Sequence, residues 1–204
     1  MGMRDTIILS PIGTEMQIYV EWIDREIRTF FGCPTKTVAL LDDIDFSYDP
    51  SRGQYHSTTI LRHLAGLAPA GTLKILAITD RDLFIPILTH VYGEAQLGGT
   101  ACVVSTRRLR DGMPPDGGLE LLRLRLIKEA VHELGHTFNL RHCRDEGCLM
   151  HYCRKIEHVD RKSASFCRYC RVMLADEIRE INRTQDGKAG PIPTQGPPPE
   201  DSHG

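Results

Sequence analysis

Apolar and polar positions alternate along this chain in blocks that predict a mixed order of strands and helices. Residues 5–11 (DTIILSP) form a short apolar run, which predicts a strand. From Met16 to Phe31 apolar residues recur at Ile18, Val20, Trp22, Ile23, Ile27 and Phe30, close to helical spacing, and Cys33-Pro34 ends that helix. Residues 37–41 (TVALL) predict a second strand, and the polar stretch 42–53, with Asp-Pro and Arg-Gly turns, a surface loop. A helix over 58–66 follows, with Ser57 placed as its N-cap. Residues 72–79 (TLKILAIT) predict a strand, 80–87 an irregular path marked by Pro86, 90–94 a turn or short edge element, and 100–105 (TACVVS) another strand. Residues 109–118 carry Pro114-Pro115 and Gly117-Gly118 and read as a loop flanking a cleft. A long helix spans 119–138, packed through Leu122, Leu126, Ala130 and Val131, with Leu119, Ile127 and Leu134 at the margins. A last helix over 171–183 has Val172, Leu174, Ala175, Ile178 and Ile181 on its apolar side. From Asp186 the chain is rich in Gly and Pro and cannot bury a core, which predicts a disordered tail over 185–204.

The long helix ends on His132-Glu133-Leu134-Gly135-His136. Histidines four apart share one helix face, with Cβ atoms about 5–6 Å apart. Both imidazoles can therefore reach one zinc ion at about 2.0–2.1 Å. Glu133 projects one step round the helix, beside the metal, where it can take a proton from a metal-bound water. His142 follows six residues after His136, and Met150 eight after that. Asn139, between His136 and His142, is a residue willing to adopt a left-handed conformation, so it can end the helix there.

A second constellation overlaps the first. Cys143 and Cys148 are spaced CxxxxC, and Cys167 and Cys170 are spaced CxxC. Two short cysteine pairs, one opening a helix, suit a closed tetrahedral zinc site; two disulfides or four unrelated thiols are the alternatives. The seven cysteines cannot all pair within one chain. Cys33 and Cys102 read as inert core thiols, and Cys153 as a bystander near the cluster. His56 and His63 have no partner at metal spacing and read as packing or surface residues, as do His151 and His158 as outer-sphere or surface groups.

The pattern HExxHxxNxxH followed by Met resembles the metzincin metallopeptidases, whose pattern has Gly where Asn139 stands. Together with HC, CxM and FCxxC, with 129–138 (EAVHELGHTF), 140–143 (LRHC), 160–163 (DRKS), and with TDxDLxIPxxxxVxGEA over 79–95, it resembles one metzincin branch, the archaemetzincins, across most of residues 5–182. The resemblance implies an α/β, metzincin-like fold: a small twisted mixed sheet, an active-site helix and a smaller zinc-tied C-terminal subdomain. It implies one catalytic domain over 1–184, divided near residue 138. It also implies two zinc ions per chain: a catalytic one on His132, His136 and His142, and a structural one on Cys143, Cys148, Cys167 and Cys170. Met150 would form the Met-turn under the catalytic metal. Tyr152 stands where some other metzincins place a hydroxyl donor to the oxyanion, against a plain packing role. By the same analogy residues 98–103 are a candidate for substrate main-chain binding, against a plain structural strand. The expected reaction is peptide-bond hydrolysis by a zinc-activated water, with Glu133 as general base.

Composition changes this picture little. At 204 residues one domain is expected, and 41% hydrophobic with 25% charged residues is ordinary for a globular protein. A formal net charge of −2 gives no global pull toward nucleic acid or anionic membrane. Eight Arg or Lys residues lie from Arg141 to Arg171, but no RNA-binding motif accompanies them, so solvated loops that offset the charge of four thiolates are the simpler reading than a nucleic-acid patch. The first six residues fit the MGxxx[ST] acylation pattern but lack an apolar leader, and no run reaches the roughly 20 residues that span a bilayer. A cytoplasmic, reducing location is expected, with a peptide or protein substrate as partner and neither nucleic acid nor membrane. The rival reading is a catalytically silent binding module of the same fold; such decay should have removed Glu133 or a histidine, and all are present.

Overall fold

In the computed structural model, residues 6–114 and 118–185 are described. The tail from 186 onward, the acylation pattern before Thr6 and the centre of the 109–118 loop lie outside the described residues. The chain runs β1 (Thr6–Pro11), α1 (Gln17–Phe31), β2 (Thr35–Thr37), β3 (Tyr48–Asp49), β4 (Gln54–His56), α2 (Ser57–Gly66), β5 (Thr72–Thr79), β6 (Leu83–Phe84), β7 (Gly93–Ala95), β8 (Ala101–Ser105), α3 (Thr106–Leu109), α4 (Leu119–Thr137), α5 (Ile156–Arg161) and α6 (Arg168–Gln185). The main sheet has the order β2-β1-β5-β8-β7, parallel except for the antiparallel edge β7. β3, β4 and β6 form a small second sheet.

Parallel strands need both faces covered, and the alternation of side chains along each strand provides two apolar faces. Ile7, Leu9, Leu76, Ile78, Cys102 and Val104 point to a core shared with α1, α4 and α6. Ile8, Ile75, Ala77, Ala101 and Val103 point to a second core with Ile60, Leu61 and Leu64 of α2. The continuous apolar runs of β5 and β8 are thereby explained: every residue of β8 is buried.

Several elements differ from the sequence expectation in instructive ways. The second strand sits earlier, over Thr35–Thr37; beyond it Val38 still donates to Leu9 O at 3.0 Å, but the Leu40 amide turns to the Ser10 hydroxyl. The 42–53 loop contains β3 and a short 3-10 turn at Asp45–Ser47. Ser57 does not cap α2. Its hydroxyl donates to Phe84 O and to Glu94, so tertiary partners took the group that a cap would have used. Ile18 and Val172, expected on buried helix faces, are exposed.

Residues 98–103 are not a free edge. β8 is hydrogen-bonded on one side to β5 and on the other to β7, so no strand position there is open to substrate. The edge strand is β7.

Candidate active site

α4 is the element that fixes the site. It begins at Leu119 after Gly118, which takes a left-handed φ of 93°, and stops at Thr137. Asn139 follows with φ 63°, the one non-glycine residue at positive φ among those described. The chain turns there as the spacing requires: Leu140 donates back to Gly135 O at 3.0 Å, and Asn139 to His136 O at 2.9 Å.

That turn brings His142 back to the helix. The ring centroids of His132, His136 and His142 lie 4.6, 4.8 and 5.4 Å apart. One nitrogen from each gathers within 4.8 Å of the others, and Nε2 of His132 and of His136 are 3.1 Å apart. His132 Nδ1 donates to Leu149 O at 3.0 Å and His136 Nδ1 to Leu140 O at 2.6 Å. These bonds fix the tautomer, leaving both Nε2 lone pairs to converge, which is how metal-ligating histidines are held. Burial pushes His132 well below the ordinary histidine range and His136 down to about 4; His142 is lowered too, by burial first and the Lys162 charge second. All three are neutral donors near pH 7, as metal binding demands.

Glu133 is buried beside them and lines the same cleft, a cavity of ≈ 880 Å³ walled by β7, α4 and the segment after Met150. Burial, and next the charge of Glu129, raises its carboxyl well above the usual carboxylate range. A cation on the neighbouring histidines would favour the ionised form again. Met150 is fully buried under α4, where a Cβ on Gly135 would stand 2.7 Å from its Sδ. Tyr152 stands at the rim with its ring 4.9 Å from that of His142.

The second cluster also assembles. The sulfurs of Cys143, Cys148, Cys167 and Cys170 lie within 4.8 Å of one another, with Cys143 and Cys167 at 3.8 Å. A tetrahedron of sulfurs about 2.3 Å from a zinc ion has edges of about 3.8 Å, so the donors and spacing suit zinc. The Cys167 thiol is lowered by the Cys170 amide, whereas burial raises Cys148 and Cys170. No cysteine is in a disulfide. Cys153 stays out of the cluster and lines the cleft instead. His56 and His63 are packing residues: His56 stacks near Phe84 and bonds Thr59, and His63 packs on Phe46.

Sequence reasoning missed what lies behind the metal ligands. Arg125, Lys128 and Glu129 are buried, and all three bind the segment 159–162. Arg125 grips Asp160 through two bonds of 2.7 Å and also donates to Leu109 O and Asp111 O. Lys128 donates to Val159 O and Asp160 O. Glu129 pairs with Lys162 at 2.7 Å. Lys162, counted among solvated cations from the sequence, is buried. The available signal was periodicity: positions 125, 128, 129, 132, 133 and 136 form one polar stripe that runs through His132 and His136.

This arrangement of three histidines, a buried glutamate and a four-sulfur cluster can be set against known proteins. A family model described as Peptidase family M54 matches residues 42–176. The chain belongs to peptidase family M54. The archaemetzincin of Archaeoglobus fulgidus is 42% identical over 164 residues, covering 80% of this chain and 95% of that one. That of Methanocaldococcus jannaschii is 32% identical over 179 residues, 86% of this chain and 96% of its own. The crystal structure of the Methanopyrus kandleri archaemetzincin superposes with a TM-score of 0.73 at 32% identity, covering 86% of this chain and 96% of that one. As a member of family M54 the chain is a zinc metallopeptidase, with the mixed α/β fold of the archaemetzincins. No helix among the described residues of this M54 peptidase is long and apolar enough to cross a membrane.

Proposed function

We propose that this chain hydrolyses peptide bonds with Glu133 as general base, on zinc held by His132, His136 and His142. The observation that carries the reading is the pair of Nδ1–carbonyl bonds that aim His132 and His136 at one point beside buried Glu133. Zinc bound there would polarise the peptide carbonyl and lower the pKa of water toward about 7. Glu133, buried at the cleft wall, accepts the proton of the attacking water and delivers it to the leaving amine. Tyr152, at the rim beside His142, supplies a hydroxyl for the charge that develops on the carbonyl oxygen. β7 is an edge strand, and Gly93 to Ala95 line the cleft, so an extended substrate can pair with its open side.

Cys143, Cys148, Cys167 and Cys170 would hold a second, structural zinc. Bound there it would pin the loop that carries His142 and Met150, because Cys143 follows His142 directly and its amide donates to Met150 O at 2.9 Å. Residues 139–184 thus act as a small subdomain tied to the catalytic helix. The test is cleavage of a mixed peptide library by zinc-loaded protein beside Glu133→Gln. Cleavage by wild type alone supports the reading. Equal cleavage by both, with zinc bound at the histidines, removes Glu133 from the mechanism.

A further inference from the structure

The cleft floor carries a charged group that neither metal binding nor proton transfer uses. Glu129 is 4% exposed, yet it lines the cleft beside Tyr92, Glu133 and Cys153. Its Oε1 lies 2.7 Å from Nζ of Lys162, whose own side chain is 1% exposed. Among the described residues no other donor bonds this carboxylate, and Oε1 is enclosed, so Oε2 is the oxygen left to the cleft. Lys162 stands behind and does not line the cavity.

Position along α4 says what meets that oxygen. Glu129 and Glu133 are one turn apart on the same face, about 5–6 Å at Cβ. Four residues of α4 line the cleft: Glu129, His132, Glu133 and His136. With the two histidines on the metal, Glu129 is the neighbour of Glu133 that remains for substrate. With Glu133 serving the leaving amine, as proposed above, the residue that follows the cleaved bond lies beside it, one helical turn from Glu129.

We infer that Glu129 is a specificity-determining residue, selecting substrates whose residue after the cleaved bond carries an uncharged hydrogen-bond donor: Asn, Gln, Ser or Thr. The inference rests on the peptidase reading above. A neutral donor satisfies Oε2. An apolar side chain covers Oε2 without a partner, which is costly. A carboxylate is repelled by Oε2. A cation must leave water to meet a pair that Lys162 has already neutralised. The pair is not needed merely to fasten the segment 159–162, which Arg125 and Lys128 already hold.

The experiment is digestion of an equimolar randomised peptide library by zinc-loaded wild type, with the new N-terminal residues read by mass spectrometry. Thr over Val and Asn over Leu are expected at about ten- to a hundredfold. Equal use, or apolar enrichment, overturns the inference while leaving the peptidase reading intact. The paired change Glu129→Leu with Lys162→Met, which removes both charges, should reverse the preference at unchanged zinc content; a preserved polar preference overturns it. A readout without turnover is retention of the same library on immobilised Glu133→Gln protein. Enrichment of Asn, Gln, Ser and Thr over Leu and Val supports the inference and no enrichment overturns it; absence of cleavage by wild type, scored separately, counts against the peptidase reading.

Discussion

Gly93 and Glu133 approach so closely that no side chain fits between them: a Cβ on Gly93 would stand 2.6 Å from Glu133 Cγ and 2.7 Å from Val103 O. The edge strand and the catalytic helix are therefore in register through a missing atom. Gly93→Ala must displace either Glu133 or the strand. Glu133 is the proposed proton-transfer group, and misplacement by about 1 Å can cost about 100-fold, so kcat should fall about 10- to 100-fold while the protein still folds. Steady-state kinetics beside thermal melting check this; unchanged kcat would show that the contact relaxes freely.

Gly135 tests the Met-turn. Replacing a mid-helix glycine by alanine ordinarily stabilises by about 1 kcal/mol. Here the new methyl would meet Met150 Sδ at 2.7 Å, an overpacking cost of about 1–3 kcal/mol. Gly135→Ala is therefore expected to destabilise, and Met150→Ala, itself costly, should relieve part of that loss in the double variant. Urea unfolding of both single variants and the double gives the coupling. Strict additivity would mean that Met150 does not press on the helix at this point.

Cys143→Ser should cost stability as well as activity, since it removes one sulfur of the four-cysteine cluster directly after His142 and leaves only the backbone bond to Met150 O to hold that loop. On the proposed two-zinc reading, zinc measured by plasma emission should fall by one ion per chain relative to wild type, and the melting temperature should fall with it. Structural zinc is folding free energy, so normal melting with zinc content unchanged would sink the structural assignment.

Asp160 supplies a pH signature. The Arg125 hydrogen bonds hold its carboxyl below the ordinary aspartate range. A depressed folded pKa gives stability that is present above the unfolded value, near pH 4, and lost as pH falls through the folded value. Asp160→Asn should therefore flatten the acid side of the melting curve below about pH 4. At pH 7 it should cost about 1–3 kcal/mol, because Arg125 is buried and keeps only its carbonyl partners. An unaltered acid limb would remove the pair from the stability account.

The chemistry of this chain was legible early because it depends on local spacing. Two histidines one turn apart, a turn at Asn139, and cysteines in short pairs constrain geometry over a few residues, and the structure brings those groups together. The clear strands and helices were legible for the same reason: β5 and α1 follow their periodicity. Ser57 was misread because a good capping residue found better partners far away, in Phe84 and Glu94.

The polar stripe on α4 shows where local reading stops. Arg125, Lys128 and Glu129 look like the solvated side of an amphipathic helix, yet the segment 159–162 covers them and satisfies each charge. A charged residue can be buried only with its partner in place, and those partners lie some 30 residues downstream. The edge was legible only in part: 90–94 read as a turn or short edge element, but that the three-residue β7 pairs with β8 and leaves no open side on residues 101–105 is a matter of strand pairing. By itself, then, the sequence determined which histidines and cysteines come together and the elements that bear them, because these obey short-range geometry. Only the tertiary structure decided which strand faces the cleft and which charges stand behind the metal site, because burial and pairing are properties of residues far apart in the chain.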